Sequence, residues 1–86
     1  MIDKVYDLHN LNIKTPEELI YHLDLIIIEA YAEGYKIIKI ITGRGNNSKN
    51  RPLLKPNTNL YLKNHKLIQN YKLDLSGGAF EIWLVN

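Results

Sequence analysis

The fold of this chain is best predicted from the segment Thr15–Gly45, TPEELIYHLDLIIIEAYAEGYKIIKIITGRG. It begins with a helix-starting pattern in which Thr15 is the N-cap, Pro16 suits the first helical position and Glu18 completes a capping box. Gly34 is typical of the residue that ends a helix. The pattern predicts one amphipathic helix between these two signals. Its core-facing stripe is predicted to contain Leu19, Leu23, Ile26, Ile27 and Ala30, and its opposite side Glu18, His22, Glu29 and Glu33.

A β-branched segment follows this helix. Tyr35–Ile41 contains four isoleucines, which is typical of an interior strand covered on much of both faces. Ile2–His9 is predicted to be the first strand. A strand, a helix and a strand in succession form a parallel pair with a right-handed crossover, so both strands end at the same edge of the sheet. We therefore expect Asp7-Leu8-His9 and Thr42-Gly43-Arg44-Gly45 to lie side by side.

The second half of the chain completes a single α/β domain over residues 1–86. A second helix is predicted within Leu53–Asn64. Its buried face is predicted to consist of Leu60, Tyr61 and Leu62. Two strands are predicted over Lys66–Leu75 and Ala79–Val85, joined by a hairpin turn at Ser76-Gly77-Gly78. A second right-handed crossover would bring that turn to the same edge as the other two loops, where ligands bind in open α/β sheets.

Composition excludes several classes of protein. The chain has 86 residues and no cysteine, so a disulfide framework or a cysteine-ligated metal site is excluded. Its longest apolar run, Leu25–Ile28, is far shorter than the roughly 18 residues that span a bilayer. The segment after Met1 lacks the basic and apolar regions of a signal peptide. We therefore expect a cytoplasmic protein without a membrane partner.

Charge is unevenly divided along the chain. Residues 1–34 carry two lysines against seven acids, whereas residues 35–86 carry nine Lys or Arg against two acids. A one-sided basic patch favours nucleic acid or another phosphate-bearing partner, although a solvated basic face with no partner explains it equally well. The basic residues assigned to substrate binding are Lys49, Arg51 and Lys55.

Asp7 and His9 are the candidate catalytic residues. Side chains alternate along an extended chain, so this Asp-x-His pair is expected on one side of the strand. The carboxylate would then orient the imidazole or raise its basicity, and His9 would act as a general acid or base near neutral pH. A surface histidine beside a loop carboxylate is the alternative interpretation. His22 and His65 lack the spacing that would predict a metal site.

The loop Thr42–Gly45 is the candidate phosphate-binding element. Two glycines flanking Arg44 would let the backbone approach a ligand closely and present N–H groups to an anion, with the guanidinium adding a bidentate contact. A turn that needs a positive φ at Gly43 or Gly45 explains the same glycines. The sequence contains no P-loop, dinucleotide-binding fingerprint or nucleophile elbow.

Taken together, these motifs resemble the Smr (small MutS-related) domain across nearly the full chain. The matching features are Asp7-Leu8-His9, the helix ending at Gly34, Thr42–Gly45 after an isoleucine-rich strand, Ser48 and Leu54 beyond it, and Gly77-Gly78 before the last strand. The resemblance implies a β-α-β-α-β-β fold, with a four-stranded mixed sheet and two helices, like the C-terminal domain of a bacterial translation initiation factor.

The resemblance also implies an endonuclease that nicks DNA or cleaves RNA, either standing alone or at the C-terminus of a MutS-like protein. By that analogy Asp7 and His9 fall on the cleavage positions and Thr42–Gly45 on the substrate-binding loop, with Ser48, Gly77 and Gly78 assigned to the same surface. Attack by an RNA 2′-OH needs no metal ion, whereas attack by water on DNA would use a divalent ion, Mg or Mn, at Asp7.

Three positions depart from the family pattern. Asn10 replaces a glycine and is expected to adopt left-handed backbone angles, Asn47 replaces a histidine, and Phe80 replaces a small residue and is expected to narrow the cleft. A non-catalytic module that binds nucleic acid or the ribosome through the basic face is therefore the alternative function. A third hypothesis is a protein-interaction module or homodimer, since Tyr21, Leu25 and Ile28 form an apolar strip on the first helix.

Overall fold

A computed structural model of the chain describes residues 1–43 and 53–85. The elements in chain order are β1 Lys4–Asp7, α1 Pro16–Ala32, β2 Ile37–Ile41, α2 Leu54–Lys63, β3 Ile68–Leu73 and β4 Ala79–Leu84. The predicted order β-α-β-α-β-β is confirmed, although each strand is shorter than predicted. Within the described ranges, no helix is both long enough and apolar enough to cross a membrane.

The four strands form one mixed sheet in the order β1-β2-β4-β3. β1 and β2 are parallel, and β4 lies between β2 and β3 and runs antiparallel to both. β1, β2 and β3 therefore point the same way, and their carboxyl ends share one edge with the start of β4. The predicted meeting of the three loops at a single edge follows from this topology.

Both helices pack on one face of the sheet. The connection from β1 to β2 and the connection from β2 to β3 both run toward the β3 edge of the sheet. Connections of the same hand that run in the same direction place their helices on the same face. The fully buried core consists of Leu8, Leu19, Leu23, Ile27, Ala30, Ile38, Ile40, Leu62, Phe80, Ile82 and Leu84. In β2, Ile38 and Ile40 are buried under the helices while Ile37, Lys39 and Ile41 on the other face are only half-buried. Among the described residues no second layer covers that face, so the expected coverage of β2 on both faces is only partly realised.

The N-cap and the C-terminal glycine of α1 are confirmed, whereas the predicted capping box is only half formed, because the Glu18 carboxylate accepts the Thr15 hydroxyl at 3.3 Å instead of the Thr15 backbone N–H. The Thr15 hydroxyl accepts a hydrogen bond from the backbone N–H of Glu18 at 3.1 Å. At the other end Gly34 has a φ of +77°, and the Tyr35 N–H donates to the carbonyl of Ala30 at 3.0 Å. These bonds satisfy backbone groups that a helix end otherwise leaves without partners.

The buried face of α2 differs from the prediction in one residue. Leu62 is buried and Tyr61 is half-buried as expected, but Leu60 is 65% exposed and Thr58 is buried in its place. Residues four apart share one face of a helix, so Thr58 and Leu62 point together into the core while Leu60 points away. The Tyr61 hydroxyl donates to Asp24 of α1 at 2.5 Å and joins the two helices.

Candidate functional site

The segment after β1 forms a turn that Asp7 stabilises. Leu8 is buried, and its N–H donates to the carbonyl of Ile41 at 2.9 Å. One carboxylate oxygen of Asp7 accepts a hydrogen bond from the backbone N–H of His9 at 2.8 Å, and the other accepts one from the side-chain amide of Asn10 at 2.9 Å. The carboxylate therefore fixes the loop that carries His9.

The contacts of Asp7 and Asn10 correct two expectations. In residues 1–43 and 53–85 no hydrogen bond joins the Asp7 carboxylate to the His9 ring, because β1 ends at Asp7 and the alternation of an extended chain stops there. The backbone of Asn10 is not left-handed; among the described non-glycine residues only Asn12 has a positive φ, of 40°. The Asn10 side chain instead holds Asp7.

The imidazole of His9 packs directly against Gly43. Gly43 has a φ of +79°, and a Cβ atom at this position would lie 3.1 Å from Nε2 and 3.3 Å from Cγ of His9, with the neighbouring ring carbon closer still. Glycine is required here both for the left-handed backbone and for the space that the ring fills. The glycines of this loop were expected to let the backbone approach a ligand closely. At Gly43 the group that lies close is instead the exposed side chain of His9.

The backbone of Thr42 and Gly43 is tied to the β3–β4 hairpin. Both N–H groups donate to the carbonyl of Gly78 at 2.9 Å. The expectation that this loop presents N–H groups to an anion is therefore wrong for Gly43, whose N–H already has an acceptor. Thr42 is buried, and its hydroxyl donates to the Gly43 carbonyl at 3.2 Å, so this side chain supports the loop from within.

Asp74 organises the hairpin turn. Its carboxylate accepts hydrogen bonds from the Ser76 hydroxyl at 2.6 Å and from the Gly77 N–H at 3.1 Å, and Lys39 Nζ lies 3.3 Å away. The bond from Ser76, with the charge of Lys39, holds the pKa of Asp74 below its usual value. Sequence reasoning missed this residue, although Asp followed two positions later by Ser-Gly at a strand end is a turn signal.

The other predicted site residues lie in α2, in the core or outside the described ranges. Lys55 lies half-buried in the first turn of α2. Phe80 is buried in the core and therefore does not narrow an open cleft as expected. The residues that fall outside the described ranges are Arg44, Gly45, Asn47, Ser48, Lys49 and Arg51.

The charge asymmetry of the sequence separates the two helices in space. α1 contains four carboxylates and no Lys or Arg, whereas α2 contains Lys55 and Lys63 and no carboxylate. Lys72 does not extend this basic region, because it lies in β3 with its Nζ 3.9 Å from Glu81 of β4. The charge asymmetry therefore makes α1 an acidic helix and α2 a basic one.

Asp7 and His9 do not by themselves form a metal centre. Throughout the described part of the chain there is no group of three or more His, Asp and Glu side chains arranged to hold a metal ion. Mg²⁺ is commonly bound by one or two carboxylates together with substrate phosphates, so Asp7 is the residue here that would contribute to such a site.

A model of the Smr domain family matches residues 6–79. The chain belongs to the Smr domain family. The match spans all three loops of the site, from β1 to the start of β4. Smr domains are generally associated with nucleic acids, which supports a nucleic-acid-related module.

Two solved Smr structures share the fold of this chain. The Smr domain of Thermus thermophilus MutS2 is similar with a TM-score of 0.78 and 22% identity, over 96% of this chain and 99% of that one. YdaL, a stand-alone small MutS-related protein from Escherichia coli, is similar with a TM-score of 0.79 and 22% identity, over 95% of this chain and 64% of that one. No curated protein matches the chain significantly in sequence.

Proposed function

We propose that this Smr domain binds nucleic acid at the edge where β1, β2 and the β3–β4 hairpin meet, and cleaves a phosphodiester bond there. The observation that supports this most strongly is the exposed His9 imidazole, held between the Asp7 turn and Gly43. An exposed imidazole held by these contacts can be presented to a substrate in a defined position. Positioned proton transfer of this kind contributes about 100- to 10,000-fold to reaction rates.

His9 is the proposed catalytic residue, and Asp7 is its positioning residue. The imidazole would move a proton to or from the attacking or leaving oxygen of the phosphodiester. Asp7 acts through the His9 backbone N–H, at 2.8 Å, rather than through the ring. Asp7 would hold a divalent ion, Mg or Mn, if one takes part, and that ion would supply the charge that polarises the phosphate. Cleavage in the presence of EDTA tests this role.

The basic helix α2 is the proposed surface for the phosphate backbone. α2 carries two lysines and no carboxylate, and in the sequence it follows the segment that contains Arg44, Lys49 and Arg51. Contacts of Lys and Arg with phosphates make binding depend steeply on salt. Changing both Lys55 and Lys63 to Gln is therefore expected to weaken binding. The slope of the logarithm of the binding constant against the logarithm of the salt concentration should become shallower by at most about 2.

Cleavage is tested with end-labelled single-stranded RNA and supercoiled DNA, each with and without EDTA. His9→Ala and Asp7→Asn are compared with the wild-type protein, and His22→Ala on α1 serves as the matched control. We expect cleavage by the wild type and His22→Ala, loss of cleavage in His9→Ala, and reduced cleavage in Asp7→Asn. Equal cleavage by the wild type and His9→Ala would contradict the assignment, because a contaminating nuclease would cut equally in both preparations and the activity would then owe nothing to His9.

A non-catalytic module for structured RNA or the ribosome is the second candidate. The hydrogen bonds of Asp7 favour it, because they give the Asp-Leu-His motif a structural role that needs no chemistry. Such a module would bind RNA with a strong salt dependence that His9→Ala leaves unchanged. Fluorescence anisotropy of labelled RNA, measured on the same variants, distinguishes this outcome from cleavage.

A further inference from the structure

α1 is apolar on two opposite faces. Its inner face buries Leu19, Leu23, Ile27 and Ala30 in the core. On its outer face Tyr21, Leu25 and Ile28 are 62%, 51% and 61% exposed. These three residues, the outer stripe, are spaced four and three apart and so form one line along the helix.

The fold itself does not account for the outer stripe. The sheet packs against the inner face of α1, and α2 meets α1 at the side, where Tyr61 bonds to Asp24. Among the described residues no element covers Tyr21, Leu25 or Ile28. Surface helices normally carry polar side chains on the face opposite the core, and contiguous exposed apolar residues mark interaction sites.

Carboxylates border the outer stripe on both sides. Glu17 and Glu18 precede Tyr21 by one helical turn, and Asp24 precedes Ile28. Glu29 follows Leu25 but is already paired with Lys4 Nζ at 3.3 Å. α1 contains no Lys or Arg. A partner that covers the stripe therefore needs apolar side chains at its centre and positive charges at its margins.

The same charges argue against two other occupants. Two copies of α1 packed stripe to stripe would place these acidic margins against each other, which is unfavourable. Nucleic acid would bring phosphates against the same carboxylates. The stripe is thus distinct from the proposed cleavage site and faces a different class of ligand.

We propose that the outer stripe of α1 is a docking site for a basic amphipathic helix of a protein partner. Apolar residues of the partner, three and four positions apart, would pack on Tyr21, Leu25 and Ile28. Its Lys or Arg side chains would lie beside the acidic margins. This is the helix-on-helix mode of recognition, in which a few spaced anchors carry the affinity.

The probe is a fluorescein-labelled helical peptide of about 18 residues with leucines on one face and flanking lysines. Two control peptides replace the lysines by glutamates or the leucines by serines. We expect the first peptide to bind at least about tenfold more tightly than either control. Equal binding of the leucine and serine peptides would overturn the proposal, because it would show charge attraction alone.

Variants of the protein locate the contact. Leu25→Ser and Ile28→Ser are expected to weaken peptide binding about tenfold or more. Leu60→Ser is the matched control, since Leu60 of α2 is at least as exposed as Leu25 and Ile28, and it should bind the peptide as the wild type does. Thermal melts establish that each variant is folded, and amide chemical shifts are expected to change along α1.

Three results would overturn the proposal. The first is no binding of the leucine–lysine peptide, and the second is an equal loss in Leu60→Ser and Ile28→Ser. The third is self-association in sedimentation velocity that Ile28→Ser abolishes, which would make a second copy the occupant. None of these results depends on nuclease activity.

Discussion

The imidazole of His9 occupies the space that a side chain at position 43 would fill. This contact joins the loop after β1 to the loop after β2. A second link joins the loop after β2 to the β3–β4 hairpin, because the N–H groups of Thr42 and Gly43 share the Gly78 carbonyl. The three loops therefore form one connected unit, and the position of His9 depends on residues far away in the sequence.

Gly43→Ala is expected to cost more stability than a glycine substitution in open space. Gly34 and Gly43 both have a positive φ, but a Cβ at Gly34 meets nothing within 4 Å, whereas one at Gly43 overlaps His9. We expect Gly34→Ala to lower the free energy of unfolding by about 1 kcal/mol and Gly43→Ala by about 2–4 kcal/mol. Urea denaturation of both variants measures the difference.

The double variant isolates the contact with His9. Removing the imidazole leaves only the backbone strain, so His9→Ala with Gly43→Ala should lose less stability than the sum of the two single changes. Strict additivity would show that the ring moves aside without cost.

Asp74 is expected to contribute to the loss of stability in acid. Its pKa is lowered from 3.8 in the folded protein, mainly by the Ser76 hydroxyl. A carboxyl with a depressed folded pKa adds stability above its unfolded pKa and loses it as the pH falls through the folded value. Asp74→Asn should therefore be less stable at pH 7 and show a shallower decline below about pH 4.

Unfolding curves at several pH values check this expectation. The stability of Asp74→Asn is still expected to fall with decreasing pH. Hydrogen bonds from the backbone of Ile37 and Lys36 lower the pKa of Asp3, and the hydrogen bond from Tyr6 lowers the pKa of Glu29. Identical pH profiles for the wild type and the variant would mean that the Ser76 bond is not maintained in solution.

Thr58→Val is expected to leave the stability unchanged or to raise it by up to about 1 kcal/mol. Thr58 is fully buried, and its hydroxyl has no hydrogen-bond partner among the described residues. Valine has nearly the same shape and removes the cost of burying an unpaired hydroxyl. Calorimetric melting measures the change, and a clear destabilisation would reveal a partner for the hydroxyl.

Thr15→Ala is expected to destabilise the domain by about 1 kcal/mol. The hydroxyl of Thr15 accepts the N–H of Glu18 at the start of α1, and alanine offers no acceptor. Thr15→Ser retains the acceptor and serves as the control in the same urea titration. Equal losses for alanine and serine would attribute the effect to packing rather than to the cap.

The secondary structure followed from local chemistry. Thr15 and Gly34 bound α1 because a side-chain acceptor and a left-handed residue act within one turn of the helix. The buried alternation of Phe80, Ile82 and Leu84 in β4 was predictable because period two is a property of any strand with one buried face. Leu60 was misplaced because Pro52 and Pro56 leave the start of this short helix ambiguous, so its helical phase is poorly defined by pattern alone.

The connection between the loops came only from tertiary structure. The sequence predicted which edge of the sheet Asp7, His9, Gly43 and Gly78 share, because crossover handedness fixes the strand ends. It did not show that Asp7 bonds to backbone rather than to the imidazole, or that His9 fills the space over Gly43. Local pattern determines elements and their order, whereas contacts between loops distant in sequence exist only once the sheet has brought them together.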